Sequence, residues 1–109
     1  MISYEDFAKL DIRSGTIIEV NDFPGAKKPA WQLSIDFGSI GIKKSSAQIK
    51  SLYSKEQLLN KQVIAVVNFP PKQIANFFSE CLVLGVYNEH QEVVLLQPER
   101  SVSNGSKIS

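Results

Sequence analysis

The residues of this chain best suited to chemistry are cations set beside small polar side chains: Lys27-Lys28, Lys43-Lys44 and Lys72. A lysine meets a phosphate as a point charge and reads no base, so such groups suit a nucleic-acid backbone. Lys43-Lys44 runs into Ser45, Ser46 and Gln48, whose hydroxyl and amide groups add hydrogen-bonding capacity. Successive strand residues face opposite sides, so both lysines share a groove only if the strand bends; a solvated edge is the plain alternative. Lys72 follows Asn68-Phe69-Pro70-Pro71, whose prolines fix the local backbone and hold the lysine exposed. Asn68 either caps the turn ahead of the prolines or recognises a base. Ser79 bonds either a ligand or its own loop. Arg13 and Glu80 lie on strands with polar alternation, as charges of a binding face or members of a structural ion pair. Lys27 and Lys28 either extend a basic rim or sit on a solvated loop. Phe77-Phe78 offers rings to stack unpaired bases or to hold apolar side chains of an unfolded peptide, with one ring expected in the core or a dimer contact.

Other chemistry finds little support. Cys81 is the only cysteine, which excludes a disulfide within the chain or a thiolate zinc cluster; beside Leu82 and Val83 it reads as buried and inert. His90, the only histidine, stands in a polar turn without carboxylates at ligand spacing, so neither metal nor cofactor is expected. No phosphate-binding glycine loop or paired-carboxylate arrangement occurs, and no enzymatic activity is expected. The net charge is only +1, so any basic footprint must be local. The start, with Glu5 and Asp6 and no apolar stretch, does not read as a secretory signal, and runs such as Val63–Val67 are too short to span a bilayer. Neither membrane insertion nor export is expected, and the location is expected to be cytoplasmic.

Short strand signals separated by turns must position these groups. Asp11–Val20 reads as a long strand with a bulge or bend at Gly15. Asn21–Pro29 is a loop. Trp31, Leu33, Ile35 and Phe37 alternate with polar residues, one face in a core, with Trp31 on it. Gly41–Ser45 reads as a third strand. Ile49, Leu52 and Tyr53 have helical spacing, and Ser54 with Gln57 resembles a capping box closed by a left-handed Asn60. Gln62–Phe69 reads as a buried central strand. Cys81–Tyr87 and Glu92–Gln97 flank a turn, and Asn104-Gly105 opens a last short strand. The order is that of an all-β, five-stranded OB-fold Greek-key barrel with a short helix between strands 3 and 4 and extra short terminal elements. The 109 residues form one domain's worth, 1–109.

Several segments together carry a resemblance. Asp11-Ile12-Arg13-Ser14-Gly15-Thr16-Ile17 resembles the opening of the tRNA-binding domain family, which includes the appended OB domain of some aminoacyl-tRNA synthetases. Asn68 through Ile74, then Ser79, resembles its Asn-x-x-Pro-Lys/Arg-x-Ile/Leu-x-Gly-x-x-Ser signature, with Asn76 where glycine is usual. Asparagine tolerates a positive φ, so the loop shape is expected to survive. Val94–Pro98 and Asn104–Ile108 resemble the closing strand and turn. Within the family, Ile35–Gly38, Ile40–Ile49 and Val66–Pro71 are similar to the CsaA proteins. That resemblance implies an OB fold, a homodimer, and binding of tRNA or similarly structured RNA at the residues named above. It also implies, as an alternative, a chaperone that binds unfolded or presecretory polypeptides.

Overall fold

The computed structural model describes residues 1–109 and consists mainly of strands. In chain order the elements are α1 (Tyr4–Ala8), β1 (Ile12–Asp22), β2 (Trp31–Asp36), a 3-10 turn at Gly38–Ile40, β3 (Ile42–Ala47), α2 (Lys55–Leu58), β4 (Gln62–Val66), β5 (Lys72–Ile74), β6 (Phe77–Ser79), β7 (Leu82–Val83), β8 (Gly85–Tyr87) and β9 (Val93–Leu95). The principal sheet has the order β3-β2-β1-β4-β7, and β5-β6 and β8-β9 are separate hairpins. The two sheet edges meet where the Glu80 N–H donates to the Lys44 carbonyl at 2.7 Å and the Ser45 hydroxyl donates to the Cys81 carbonyl at 3.0 Å. Those bonds turn the sheet into the nearly closed barrel of an OB fold.

Alternation fills the barrel. Ile17, Val20, Leu33, Ile35, Phe37, Val63, Ala65 and Leu58 are buried together, and Trp31 and Tyr53 pack against them. Ile17 and Val20 both point inward although three residues apart, which a regular strand forbids. An extra residue at Ile18 reconciles them: the register passes from Ile17–Ile35 to Glu19–Ser34. The bulge is therefore not at Gly15. A Cβ there would come within 2.7 Å of Ile35 and Phe37 side-chain atoms, so this glycine admits the Phe37 ring to the core.

Two other expectations change. Ile49–Tyr53 forms one turn, Tyr53 N–H to Ile49 carbonyl at 3.2 Å, and no helix. The Tyr53 carbonyl accepts from Trp31 Nε1 at 3.0 Å, while the Gln57 N–H that would continue a helix goes to the Ser54 hydroxyl. The Ser54–Gln57 capping box starts α2, and Asn60 follows with φ 68°. In the β5-β6 turn the left-handed residue is Ala75, φ 54°, and not Asn76. Ile74 pairs with Phe77, which leaves a two-residue turn whose first central residue takes the positive φ. The stretch Cys81–Tyr87 divides into β7, on β4, and β8, on β9. At the end, Gly105 (φ 83°) lets the chain return along β1, where Lys107 bridges to Arg13.

Candidate nucleic-acid interface

A second, smaller core lies beside the barrel. Phe23 and Ala30, from the β1-β2 loop, bury against Phe77 of the β5-β6 hairpin, with Ala26 and Ile74 at the margin. The Phe23 and Phe77 rings stand 5.3 Å apart and tilted by 56°. This packing welds two loops, distant in sequence, into one lobe. On its surface are Lys27, Lys28, Lys72 and the Phe78 ring, which is 54% exposed opposite Gln73.

The lobe is free of carboxylates, and its three lysines enter none of the protein's four ion pairs. Residues 23–79 carry eight lysines against Asp36 and Glu56, whereas the remainder carries nine carboxylates against four cations. The net charge of +1 thus conceals a strongly basic middle.

β3 runs alongside the lobe. Lys44 is exposed on the outer face, while Lys43 is half-buried on the side that carries buried Ser45 and Ala47. The strand does not bend to bring both onto one face. Ser46 is half-buried, and its N–H donates to the Ser79 hydroxyl at 3.2 Å; Gln48 is exposed at the strand end.

Four of the predicted site residues are engaged within the protein. Ser45, only 2% exposed, bonds Cys81. The Ser79 hydroxyl accepts from Ser46 and donates to the Cys81 carbonyl at 3.4 Å. Asn68 uses both ends of its amide: Oδ1 accepts from Asp11 N–H at 2.9 Å and Nδ2 donates to the Lys9 carbonyl at 2.8 Å. It thereby clips the end of β4 to the linker between α1 and β1. Arg13 holds Asp11 through Nε at 2.8 Å and Nη2 at 3.3 Å, and its Nη1 donates to the Gly105 carbonyl. Glu80 is not its partner but accepts from the Lys44 N–H at 2.9 Å. Phe77 is buried and Phe78 exposed, which divides the aromatic pair as anticipated.

Sequence reasoning overlooked Lys50. Its ammonium lies 4.5 Å from the Trp31 ring centroid and bonds the Asp22 carboxylate. That bond, with the Phe23 N–H, holds the Asp22 carboxyl below its ordinary value. No local pattern announces a contact across 28 residues. α1 was also missed, although Ser3 and Asp6 form a complete capping box. Burial pushes the Cys81 thiol up to about 12, and the Ser45 bond only partly offsets it. His90 sits in the β8-β9 turn, its N–H donating to Asn88 Oδ1 at 2.9 Å.

Comparison with known proteins gives this geometry a family. Residues 12–107 match the family described as "Putative tRNA binding domain". A CsaA chaperone protein from Picrophilus torridus superimposes with a TM-score of 0.95 at 57% identity, covering 100% of both chains. The chain belongs to the CsaA branch of the tRNA-binding-domain family. The CsaA chaperone of Bacillus anthracis str. Ames shares 52% identity, again with a TM-score of 0.95, over 100% of this chain and 99% of that one. A methionine–tRNA ligase of Nanoarchaeum equitans is 41% identical over 110 aligned residues, 99% of this chain. The chain spans only 14% of that ligase's length, so the likeness is to one domain of an enzyme. No helix of the protein is long and apolar enough to cross a membrane.

Proposed function

We propose that residues 1–109 act as one RNA-binding module, homodimeric and without catalytic activity of its own, whose ligand is tRNA or a similarly structured RNA in the cytoplasm. The observation that carries this reading is the carboxylate-free lobe, where Lys27, Lys28 and Lys72 surround an exposed Phe78. The two loops it joins are those that flank the ligand face of many OB domains. Lys44, on the adjacent strand, extends the same surface. Unpaired lysines suit a phosphate backbone, and an exposed ring suits an unstacked base. Kinship with domains of methionine–tRNA ligases supports tRNA over other polyanions. Filter binding of tRNA at several salt concentrations tests the reading: affinity is expected to fall steeply as salt rises. Salt-independent binding would remove it.

Pairing of two copies would give each dimer two equivalent lobes. Sedimentation at micromolar concentration is expected to show a species of twice 12.1 kDa, and a 12.1 kDa species alone would refute the dimer.

A second reading has its own support. Both solved CsaA relatives are named as chaperones. Next to the lobe, beyond the Ser46–Ser79 bond, this chain has a largely apolar slot without a charged residue in its lining. Binding of unfolded or presecretory polypeptides is the function that such a surface serves.

A further inference from the structure

We infer that the open seam of the barrel, between β3 and β7-β8, binds an extended polypeptide by strand addition and selects alternating apolar and polar side chains rather than one sequence. The inference rests on the polypeptide reading above and places it on a surface other than the basic lobe.

Even-numbered residues from Leu82 to Asn88 bond in one direction. The Leu84 N–H donates to the Ile64 carbonyl at 2.8 Å, the Leu84 carbonyl accepts from the Leu96 N–H at 3.1 Å, and the Asn88 N–H donates to the Glu92 carbonyl at 2.9 Å. Antiparallel alternation turns the backbone groups of Val83, Gly85 and Tyr87 the opposite way, towards β3. Cys81 marks that direction, because its carbonyl accepts from Ser45 of β3. Past Cys81 the closure stops. The Ser46 N–H is taken by Ser79, while the Ser46 carbonyl and the Gln48 backbone have no partner in the protein. Two rows of unpaired backbone groups therefore face one another across a slot of about 620 Å³.

The lining decides the occupant. Ala47, Ile49, Val83, Val93 and Leu95 supply apolar surface, and no acidic or basic residue contributes. A neutral, apolar chain matches this absence of charge, whereas a phosphate backbone would lose its hydration there with no cation to meet it. Exposed strand edges are templates for another strand. A segment added here makes main-chain bonds without regard to sequence, and only alternate side chains reach the apolar floor. A second copy is the competing occupant, since Leu82, Val86 and Tyr87 of the lining are exposed, and the test separates the two.

The test is titration of the whole protein with two synthetic peptides of about ten residues. In one, Leu and Ser alternate; the other has the same composition with Leu at helical spacing. The alternating peptide is expected to bind about tenfold tighter and to protect the amides of Val83, Gly85 and Tyr87 from hydrogen exchange. Tyr87→Pro removes one outward N–H but leaves the Val86–Val94 pair, so it should weaken that peptide about fivefold to tenfold while Tyr87→Ala does not. Equal binding of the two peptides overturns the inference. Protection on Lys72–Ser79 instead overturns the placement while the polypeptide reading stands, and failure of either peptide to bind removes both. Loss of dimer in Tyr87→Pro would assign the seam to a second copy and likewise overturn it. Should that variant not fold, the exchange pattern of the unaltered protein decides alone.

Discussion

Lys44 and Glu80 hold each other twice, and neither bond involves the lysine side chain: the Lys44 N–H donates to the Glu80 carboxylate at 2.9 Å, and the Glu80 N–H donates to the Lys44 carbonyl at 2.7 Å. A side chain thus supplies a rung that a regular ladder would take from backbone. Glu80→Ala leaves the Lys44 N–H to water at an exposed site, so the loss is the net value of one hydrogen bond, about 0.5–1.5 kcal/mol. For a domain of this size that lowers the melting temperature by roughly 2–12 °C. Glu80→Gln retains an acceptor and should lose less than half as much. Calorimetry of the two variants checks this; equal melting temperatures would show that water replaces the carboxylate without cost.

Lys72→Ala tests the basic lobe at the cation that its hairpin carries. RNA affinity should weaken to a similar degree for different sequences, because a phosphate contact carries no base information. The slope of log K against log salt should flatten by about one unit, somewhat less for single-stranded contacts. Stability should stay within roughly half a kcal/mol. Filter binding at several salt concentrations reads both quantities, and an unchanged slope would place Lys72 outside the interface.

The two adjacent phenylalanines should separate cleanly. Phe77→Ala empties the small core between loop and hairpin and should destabilise by about 3 kcal/mol. Phe78→Ala should leave stability nearly untouched yet weaken binding of RNA with unpaired bases by about 1–3 kcal/mol. Urea denaturation alongside RNA titration distinguishes the roles, and equal loss of stability in both variants would contradict them.

Cys81 makes stability depend on alkaline pH. Its folded value is raised from 9.0 to about 12, so the native state keeps its proton where the unfolded chain releases it. The contribution is complete below pH 9 and disappears as pH rises towards 12. Cys81→Ser or Cys81→Ala should therefore remove part of the decline in stability between those values. At neutral pH the native thiol should resist a thiol reagent until the protein is unfolded, and rapid labelling of the native form would contradict its burial.

The barrel was legible because its determinants are local. Leu33, Ile35 and Phe37 declare a strand by alternation, and Ser54 with Gln57 declares a helix start three residues apart. The site was less legible because its residues are assigned by contacts remote in sequence. Asn68 reads equally as a cap and as a base reader, and only the fold shows its amide spanning Lys9 and Asp11; Ser79, open to ligand or loop in the sequence, bonds Ser46 and Cys81. Lys50 and Asp22 meet only because the barrel ends bring them together. Gly15 was recognised as special, but the bulge it suggested sits at Ile18; the ring that needs the missing Cβ comes from another strand.

The uneven placement of charge also bears on how the molecule meets its ligand. With a total of only +1, its field has little reach, and beyond a Debye length of about 8 Å a polyanion hardly registers it. Long-range steering, which speeds the arrival of strongly basic proteins, is therefore weak, and so is indiscriminate clinging to bulk nucleic acid. On the RNA-binding reading proposed above, what draws a ligand is felt only once it is already close to the lobe. Recognition on that reading falls to residence after collision, and a ligand is kept or released by how well its contour fits one small corner.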